Sequence, residues 1–255
     1  MKRLILMLCV LVASCMVMAC GESAKSSAEQ EGVTSESVTP IASYKQGCVV
    51  TTNGSTIDLP YGCRQVIVVD TSTRKDCVVH TLSCDADTWS GSYVAGVIGY
   101  GGLASAGTKR EGDGKTPVGT FALRRGLYYV KDFHTSFPME QYNENYTWDE
   151  NPVSPTYNTL LRNPKPGTKG DRIWEHRNRQ YRYIVVVEYN TDHPIPGAGS
   201  AIFIHAWRAA GKPTAGCVGM SEANMKRVVE WLDPAKNPHI VVLPKGVHFS
   251  NVINK

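Results

Sequence analysis

The stretch AIFIHAWRAAGKPTAGCVGM, residues 201–220, carries the strongest signals for both the fold and the chemistry of this chain. Its apolar opening, residues 201–204, predicts a buried strand that ends at His205. A loop containing glycine and proline then leads to Gly216 and Cys217. An imidazole at a rigid strand end, close to a thiol, suits nucleophilic catalysis, because a neighbouring imidazole lowers the pKa of a cysteine from about 8.5 towards neutrality.

Outside this stretch, the sequence predicts mainly β-strands. Short apolar or β-branched runs bounded by polar turns predict strands, and the polar residues 71–76 predict a hairpin between the first two of them. The last long run, before residue 201, is almost continuously apolar and predicts a central strand. The predicted strands are residues 65–70, 77–82, 93–98, 117–123, 183–189, 201–204 and 239–243.

One helix is predicted after the thiol. Ser221 is a suitable N-cap, and apolar residues recur behind it at helical spacing up to Leu232, before Pro234 ends the pattern. About seven strands, one helix and no regular βαβ repeat predict a mainly β domain, a sandwich of mixed sheets. Residues 131–180 are polar, aromatic and rich in proline, and we expect this loop-rich insertion to form part of a substrate cleft or lid.

The N-terminus predicts export. Lys2 and Arg3 precede an apolar segment, residues 4–18, that is too short to span a bilayer comfortably. Residues 17–20, Val-Met-Ala-Cys, resemble a bacterial lipobox, which implies a signal peptide at 1–19 and acylation of Cys20; Cys15 and an ordinary secretory signal are the alternatives. Residues 20–45 predict a disordered tether and residues 46–255 the catalytic domain. We therefore expect a lipoprotein of the cell envelope, anchored to a membrane, with its domain outside the cytoplasmic membrane.

The cysteine pattern agrees with export. Of eight cysteines, Cys48, Cys63, Cys77 and Cys84 form a group that could make up to two disulfides, in any of three connectivities. Cys217 lies far from this group and needs a different explanation.

Charge and motif content exclude two classes of partner. The formal net charge is +4 and no large Lys/Arg cluster is present, so nucleic acid is not an expected partner. Residues 112–116, GDGKT, do not complete a phosphate-binding loop, because that motif needs glycine at the position of Lys109. No metal or organic cofactor is implied.

Several separated motifs, in order, resemble the L,D-transpeptidase catalytic domain, the YkuD-like family. The strand-borne His205 before Thr-Ala-Gly-Cys (214–217) is one of them, and the upstream run KREGDGKTPVGTF (109–121) is another. Further matches are WDE (148–150), YN (157–158), EH (175–176) and GSAIF (199–203). Many members carry a second histidine before the nucleophile and an arginine after it. Both are absent here, so a branch with Thr-Ala-Gly-Cys is the better match.

The resemblance implies a site and a substrate. Cys217 would be the nucleophile and His205 its base, and Gly216 would help to form an oxyanion hole. Candidate substrate-binding residues are Trp207, Thr214, Ala215, Tyr157 and His176, although Trp207 could simply pack.

The substrate would be a peptidoglycan stem peptide, joined to another stem in a 3→3 cross-link or to another amine through a thioester. L,D-carboxypeptidase activity and a non-catalytic, wall-binding lipoprotein are the alternatives. The sequence identifies no side chain that orients His205.

Overall fold

A computed structural model describes residues 48–53 and 56–254 of the chain. The predicted signal peptide, the lipidation site and the tether lie outside the described residues. Within them there are sixteen strands, one α-helix and two short 3₁₀ turns. The strands are β1 (Cys48–Thr52), β2 (Thr56–Asp58), β3 (Gln65–Thr71), β4 (Asp76–Asp85), β5 (Thr88–Val97), β6 (Gly102–Ala104), β7 (Lys115–Pro117), β8 (Gly119–Tyr128), β9 (Met139–Gln141), β10 (Tyr146–Trp148), β11 (Leu160–Arg162), β12 (Tyr183–Val187), β13 (Phe203–Ala206), β14 (Val218–Met220), β15 (His239–Val242) and β16 (Phe249–Asn254).

A nine-stranded mixed sheet forms the centre of the fold, in the order β12-β13-β14-β5-β4-β3-β15-β8-β9. Strand β8 pairs antiparallel with β15 along its first half and with β12 along its second half, so the sheet closes on itself. The mainly β, mixed-sheet prediction is confirmed, and closure makes the core barrel-like. Closure buries the inner face of strands such as β3 and β12, and the layers packed outside the sheet bury their outer face, which explains their continuous apolar runs.

Three apolar layers follow from the alternation of side chains along these strands. The first core lies on one face of the sheet and includes Ile67, Val185, Ile204 and the buried side of the helix. On the other face of β3, Val66 and Val68 belong to a second core, under the small sheet β16-β1-β2. A third core packs the other face of β12 and β13 against the segment between β8 and β12.

The predicted helix is confirmed as α1 (Glu222–Trp231). The Ser221 side chain accepts the Asn224 N–H at 3.2 Å and so caps the first turn. The side chains of Met225, Val228 and Val229 are buried in the first core, and each contributes about 1.5–3 kcal/mol of apolar burial. None of the described residues forms a helix that is both long and apolar enough to cross a membrane.

Two details of the strand prediction are wrong. Strand β13 begins at Phe203 rather than at residue 201, because Ala201 has a left-handed backbone with φ +52°, and His205 therefore lies inside the strand instead of ending it. The prediction of about seven strands also missed short strands, among them β9, β10 and β11 in the insertion, whose three residues each are too few to show a period.

The structure excludes the upper limit of two disulfides that the sequence allowed. Cys77 is a free thiol buried in the first core, whereas Cys84, seven residues along the same strand, points into the second core with Cys63. An odd separation along a strand places side chains on opposite faces, so Cys77 and Cys84 cannot meet. Each of the three possible connectivities requires Cys77. The side chain of Cys48 lies outside the described residues.

Candidate active site

His205 is held by a backbone carbonyl. Its side chain is 3% exposed, and Nδ1 lies 2.7 Å from the carbonyl oxygen of Ala206. Because a carbonyl can only accept, Nδ1 carries the proton and Nε2 keeps a lone pair. Burial lowers the pKa of His205 to about 4, an effect that the Ala206 hydrogen bond opposes. The group that orients the imidazole is thus a main-chain oxygen, which no side-chain motif could reveal.

Cys217 lies immediately before β14, and its thiol is also held by backbone groups. Sγ donates to the Ala201 carbonyl at 3.3 Å and accepts the Phe203 N–H at 3.3 Å. The residue is 7% exposed. Burial raises the pKa of the Cys217 thiol to about 12, and the Phe203 N–H opposes this rise because it favours the thiolate.

Strand pairing brings the two side chains to one face of the sheet. Strands β13 and β14 are parallel neighbours, with Ile204 opposite Val218 and His205 opposite Gly219. Cys217 therefore lies beside Phe203, whose N–H reaches its sulfur. Phe203 and His205 are two residues apart on a strand and point to the same face. The side chains of His205 and Cys217 therefore both point to the face of the sheet that the third core covers.

Gly216 fits a position that other residues would strain. Its φ is +144°, and a Cβ there would lie 3.0 Å from the carbonyl oxygen of Lys115. Its own carbonyl accepts the Thr116 hydroxyl at 2.7 Å, and the same hydroxyl oxygen accepts the Gly99 N–H at 2.9 Å. The upstream run 109–121 therefore contacts the nucleophile loop directly, through β7.

Thr214 organises the turn before the thiol. Its hydroxyl donates to the Cys217 carbonyl at 2.6 Å and accepts the Gly216 N–H at 3.2 Å. Because this N–H is already engaged, Gly216 does not offer it to an oxyanion in this conformation. Ala215 is exposed and Trp207 is half-buried, with its N–H donating to the Met220 carbonyl at 2.7 Å, so both lie at the rim of the loop.

An aromatic side chain just after the insertion covers the imidazole. The Tyr181 ring meets the His205 ring edge-on at 5.0 Å, and its hydroxyl donates to Asp171 at 2.8 Å. His176 lies on the outer side of the Tyr181 ring, 5.1 Å away, and is 46% exposed. Sequence reasoning found His176 but missed Tyr181 and Asp171, which stand in no recognisable motif.

Acidic side chains surround the covered site. Burial and the nearby Asp171, Glu111 and Asp149 raise the pKa of Glu150 to about 7. Burial also raises the pKa of Asp171. Both carboxylates oppose ionisation of Cys217, whereas Lys109 favours it. The field around the thiol therefore favours its neutral form.

Tyr157 and Asn158 hold the backbone next to the thiol. Tyr157 is 3% exposed; its hydroxyl donates to Glu111 and accepts the Gly199 N–H at 3.1 Å. Asn158 accepts the N–H of the left-handed Ala201 at 3.1 Å through Oδ1. In this conformation Tyr157 supports the turn that precedes β13, and Asn158 was not among the predicted site residues.

Among the described residues, no cluster of His, Cys, Asp and Glu side chains is arranged to hold a metal ion.

Comparison with known proteins places this site in a family. The family description YkuD, L,D-transpeptidase catalytic domain, matches residues 64–242, from the start of β3 to the end of β15. No curated protein and no solved structure matches the chain. The matched residues include β13, the loop with Gly216, and β14, and they span more than half of the sequence. The chain therefore belongs to the YkuD family of L,D-transpeptidase catalytic domains.

Proposed function

We propose that the protein is a cysteine-dependent L,D-transpeptidase that acts on peptidoglycan stem peptides, with Cys217 as nucleophile and His205 as base. One observation carries the proposal. The Ala206 carbonyl fixes the proton on Nδ1 of His205, so the unprotonated Nε2 is available on the same sheet face as the Cys217 thiol. This tautomer is the one that can accept the thiol proton.

The reaction proceeds through a thioester. As Sγ of Cys217 attacks the carbonyl of the third stem residue, a diamino acid, its proton passes to Nε2 of His205. The C–N bond to the terminal D-Ala breaks, and the imidazolium protonates the departing amine. A second stem's side-chain amine then attacks the thioester, loses its proton to His205 and restores the thiol. The product is a 3→3 cross-link.

Proton transfer accompanies attack in this scheme. At neutral pH a thiol with a pKa of about 12 and an imidazole with a pKa of about 4 are both neutral at rest.

The N–H of Cys217 is our candidate oxyanion donor, because the Gly216 N–H is bonded to Thr214. Since Cys217 is 7% exposed, the stem must displace a covering group, and our candidate is Tyr181, whose ring lies 5.0 Å from the His205 ring.

A cell-wall digest tests the reaction type. Isolated peptidoglycan rich in tetrapeptide stems is incubated with the purified mature protein or with its Cys217→Ala variant, digested to muropeptides and analysed by mass spectrometry. New dimers joined between diamino residues support transfer. Tripeptides alone would replace transfer by L,D-carboxypeptidase activity. Full activity in the Cys217→Ala variant would refute the nucleophile assignment, and no product from the intact protein would leave the wall-binding alternative.

We also propose that the protein is a lipoprotein of the cell envelope, acylated on Cys20. The adjoining Gly21-Glu22-Ser23 begins a polar segment suited to a tether, which favours Cys20 over Cys15. Mass spectrometry of the N-terminal peptide from the native host measures the site. A Cys20→Ala variant that leaves the membrane fraction supports the proposal, and one that stays there while Cys15→Ala leaves it would move the anchor to Cys15.

A further inference from the structure

A second cavity, of about 570 Å³, opens beside the loop that carries the nucleophile. It is bounded by the β3–β4 turn, by β6 and β7, and by the segment between β15 and β16. Its cationic lining residues are Arg74, Lys115 and Lys245, and His248 also lines it. The cavity is thus basic, whereas the surroundings of Cys217 are acidic.

Two glycines form the floor of this cavity. A Cβ on Gly101 would lie 2.8 Å from Cγ of Lys115, and a Cβ on Gly102 would lie 3.5 Å from Cγ of Arg74. The aliphatic stem of Lys115 therefore lies close to the Gly101 backbone, where an added side chain would collide with it, and the stem of Arg74 lies at ordinary contact distance from Gly102. Leu103 and Val118 add apolar surface between them.

The nearby carboxylates are already engaged. Asp70 accepts from His248 at 2.8 Å and from the Phe249 N–H at 2.9 Å. Asp76 accepts from Thr73 at 2.7 Å, and Asp113 forms its ion pair with Lys109. Within the part of the chain that the structure describes, Arg74, Lys115 and Lys245 therefore face the cavity without a carboxylate partner.

We propose that this cavity binds the free carboxylates of a peptidoglycan stem peptide and so holds the wall next to the catalytic loop. The proposal rests on the proposed function. Three unneutralised cations match a peptide that bears several carboxylates, and the apolar floor accommodates its methyl groups. The cavity adjoins the nucleophile, because Lys115 precedes Thr116, whose hydroxyl bonds the Gly216 carbonyl.

Titration calorimetry with the mature Cys217→Ala protein tests the binding without turnover. The probe is a purified disaccharide-tetrapeptide. The combined variant Arg74→Gln, Lys115→Gln and Lys245→Gln should bind it about tenfold more weakly, because charge-assisted hydrogen bonds are lost. The matched control removes the same charge elsewhere, through Arg124→Gln, Lys226→Gln and Arg227→Gln, and should bind as the parent does. If the triple variant fails to fold, Lys245→Gln alone is used, with Lys245→Arg expected to retain binding.

Further arms identify the anion. A stem peptide with amidated carboxylates should bind the Cys217→Ala parent more weakly than the free-acid probe does. It should bind the parent and the triple variant with equal affinity. Equal affinity of parent and triple variant for the carboxylate probe would overturn the proposal. So would cavity-dependent binding of a glycerol phosphate oligomer alone, which would indicate a phosphodiester polymer.

Comparison with the digest separates this inference from the proposed function. Normal turnover together with unchanged binding by the triple variant would remove the cavity inference alone. Weakened binding together with no turnover by the intact protein would remove the catalytic proposal alone.

Discussion

At the scale of single residues, main-chain atoms set the state of the reactive pair. The Ala201 carbonyl accepts a hydrogen bond from the Cys217 thiol, and the Ala206 carbonyl accepts one from Nδ1 of His205. The Phe203 N–H donates a hydrogen bond to the sulfur. Burial keeps Cys217 as a neutral thiol, although the Phe203 N–H favours the thiolate. The resting enzyme of our proposal is therefore protected from adventitious oxidants, because the thiolate is the reactive form of cysteine.

Alkylation kinetics should show this protection. With iodoacetamide, the rate of Cys217 modification should keep rising above pH 9, whereas an ordinary thiol levels off near its pKa of about 8.5. Peptide mass spectrometry at a series of pH values measures the rate, with a short cysteine peptide as control. A plateau at or below neutral pH would mean that a thiolate is already formed, in contradiction to the neutral pair.

At the scale of elements, the site depends on hydrogen bonds that join distant segments. Thr116 of β7 links Gly99 to the nucleophile loop, and Asn158 of the insertion links the turn before β13 to the 189–190 backbone. Neither contact comes from β13 or β14 themselves. Activity should therefore be sensitive to substitutions outside the strands that carry the thiol and the imidazole.

Thr116→Val tests the first link. The change keeps the side-chain volume but leaves the buried Gly99 N–H without its acceptor, which should cost about 1–3 kcal/mol in the free energy of unfolding and lower turnover. Urea unfolding and the digest assay measure both effects. Thr191→Val is the matched control, because Thr191 Oγ1 is buried without a hydrogen bond in the described structure, so this change should be neutral or stabilising. Equal effects of the two changes would contradict the assignment.

Asn158→Ala tests the second link. Removal of the Asn158 amide leaves the N–H of Ala201 without its acceptor, and this hydrogen bond helps to hold the left-handed backbone of Ala201. We therefore expect a loss of about 1–3 kcal/mol in the free energy of unfolding and slower acylation. Single-turnover acylation, measured by intact mass, should slow even where the variant is fully folded. The exposed Asn145→Ala serves as control. Unchanged acylation in folded Asn158→Ala would leave Asn158 a purely structural residue.

At the scale of the whole molecule, the buried imidazole couples folding to pH. The pKa of His205 falls from an ordinary 6.5 to about 4 in the folded protein, so between these values the unfolded chain binds a proton that the folded chain does not. The contribution of His205 to stability is complete above pH 6.5 and is lost as pH falls towards 4. The pKa of Glu150 is raised to about 7, so its contribution to stability changes in the opposite direction and grows as pH falls below 7.

Comparison with His205→Gln isolates this contribution. As pH falls from 6.5 to 4, the intact protein should lose stability relative to the variant by up to about 3 kcal/mol, because each pKa unit corresponds to about 1.4 kcal/mol. Urea unfolding at pH 7, 5.5 and 4.5 measures the difference. Parallel stability curves for the intact protein and His205→Gln would contradict a neutral, buried imidazole.

Sequence reasoning recovers the parts of the fold that depend on local pattern. The apolar runs of β3 and β12, the Ser221 cap and the period of α1 are local signals, and the structure confirms each. Closure by β8 and the short strands of the insertion depend on distant pairing and left no such signal. In the same way the His–Cys pair is readable from a motif, whereas Asp171, Tyr181 and the Ala206 carbonyl gain their positions only from tertiary packing.

The first and last described strands are direct antiparallel partners, with Cys48 opposite Asn254. This pairing cannot form until the chain has been synthesised through residue 254, so the sheet over the second core is completed last. The adjacent ends also make the domain a good subject for circular permutation. A short glycine bridge from residue 254 to residue 48, with new ends cut at the exposed 165–169 loop, should yield a folded chain.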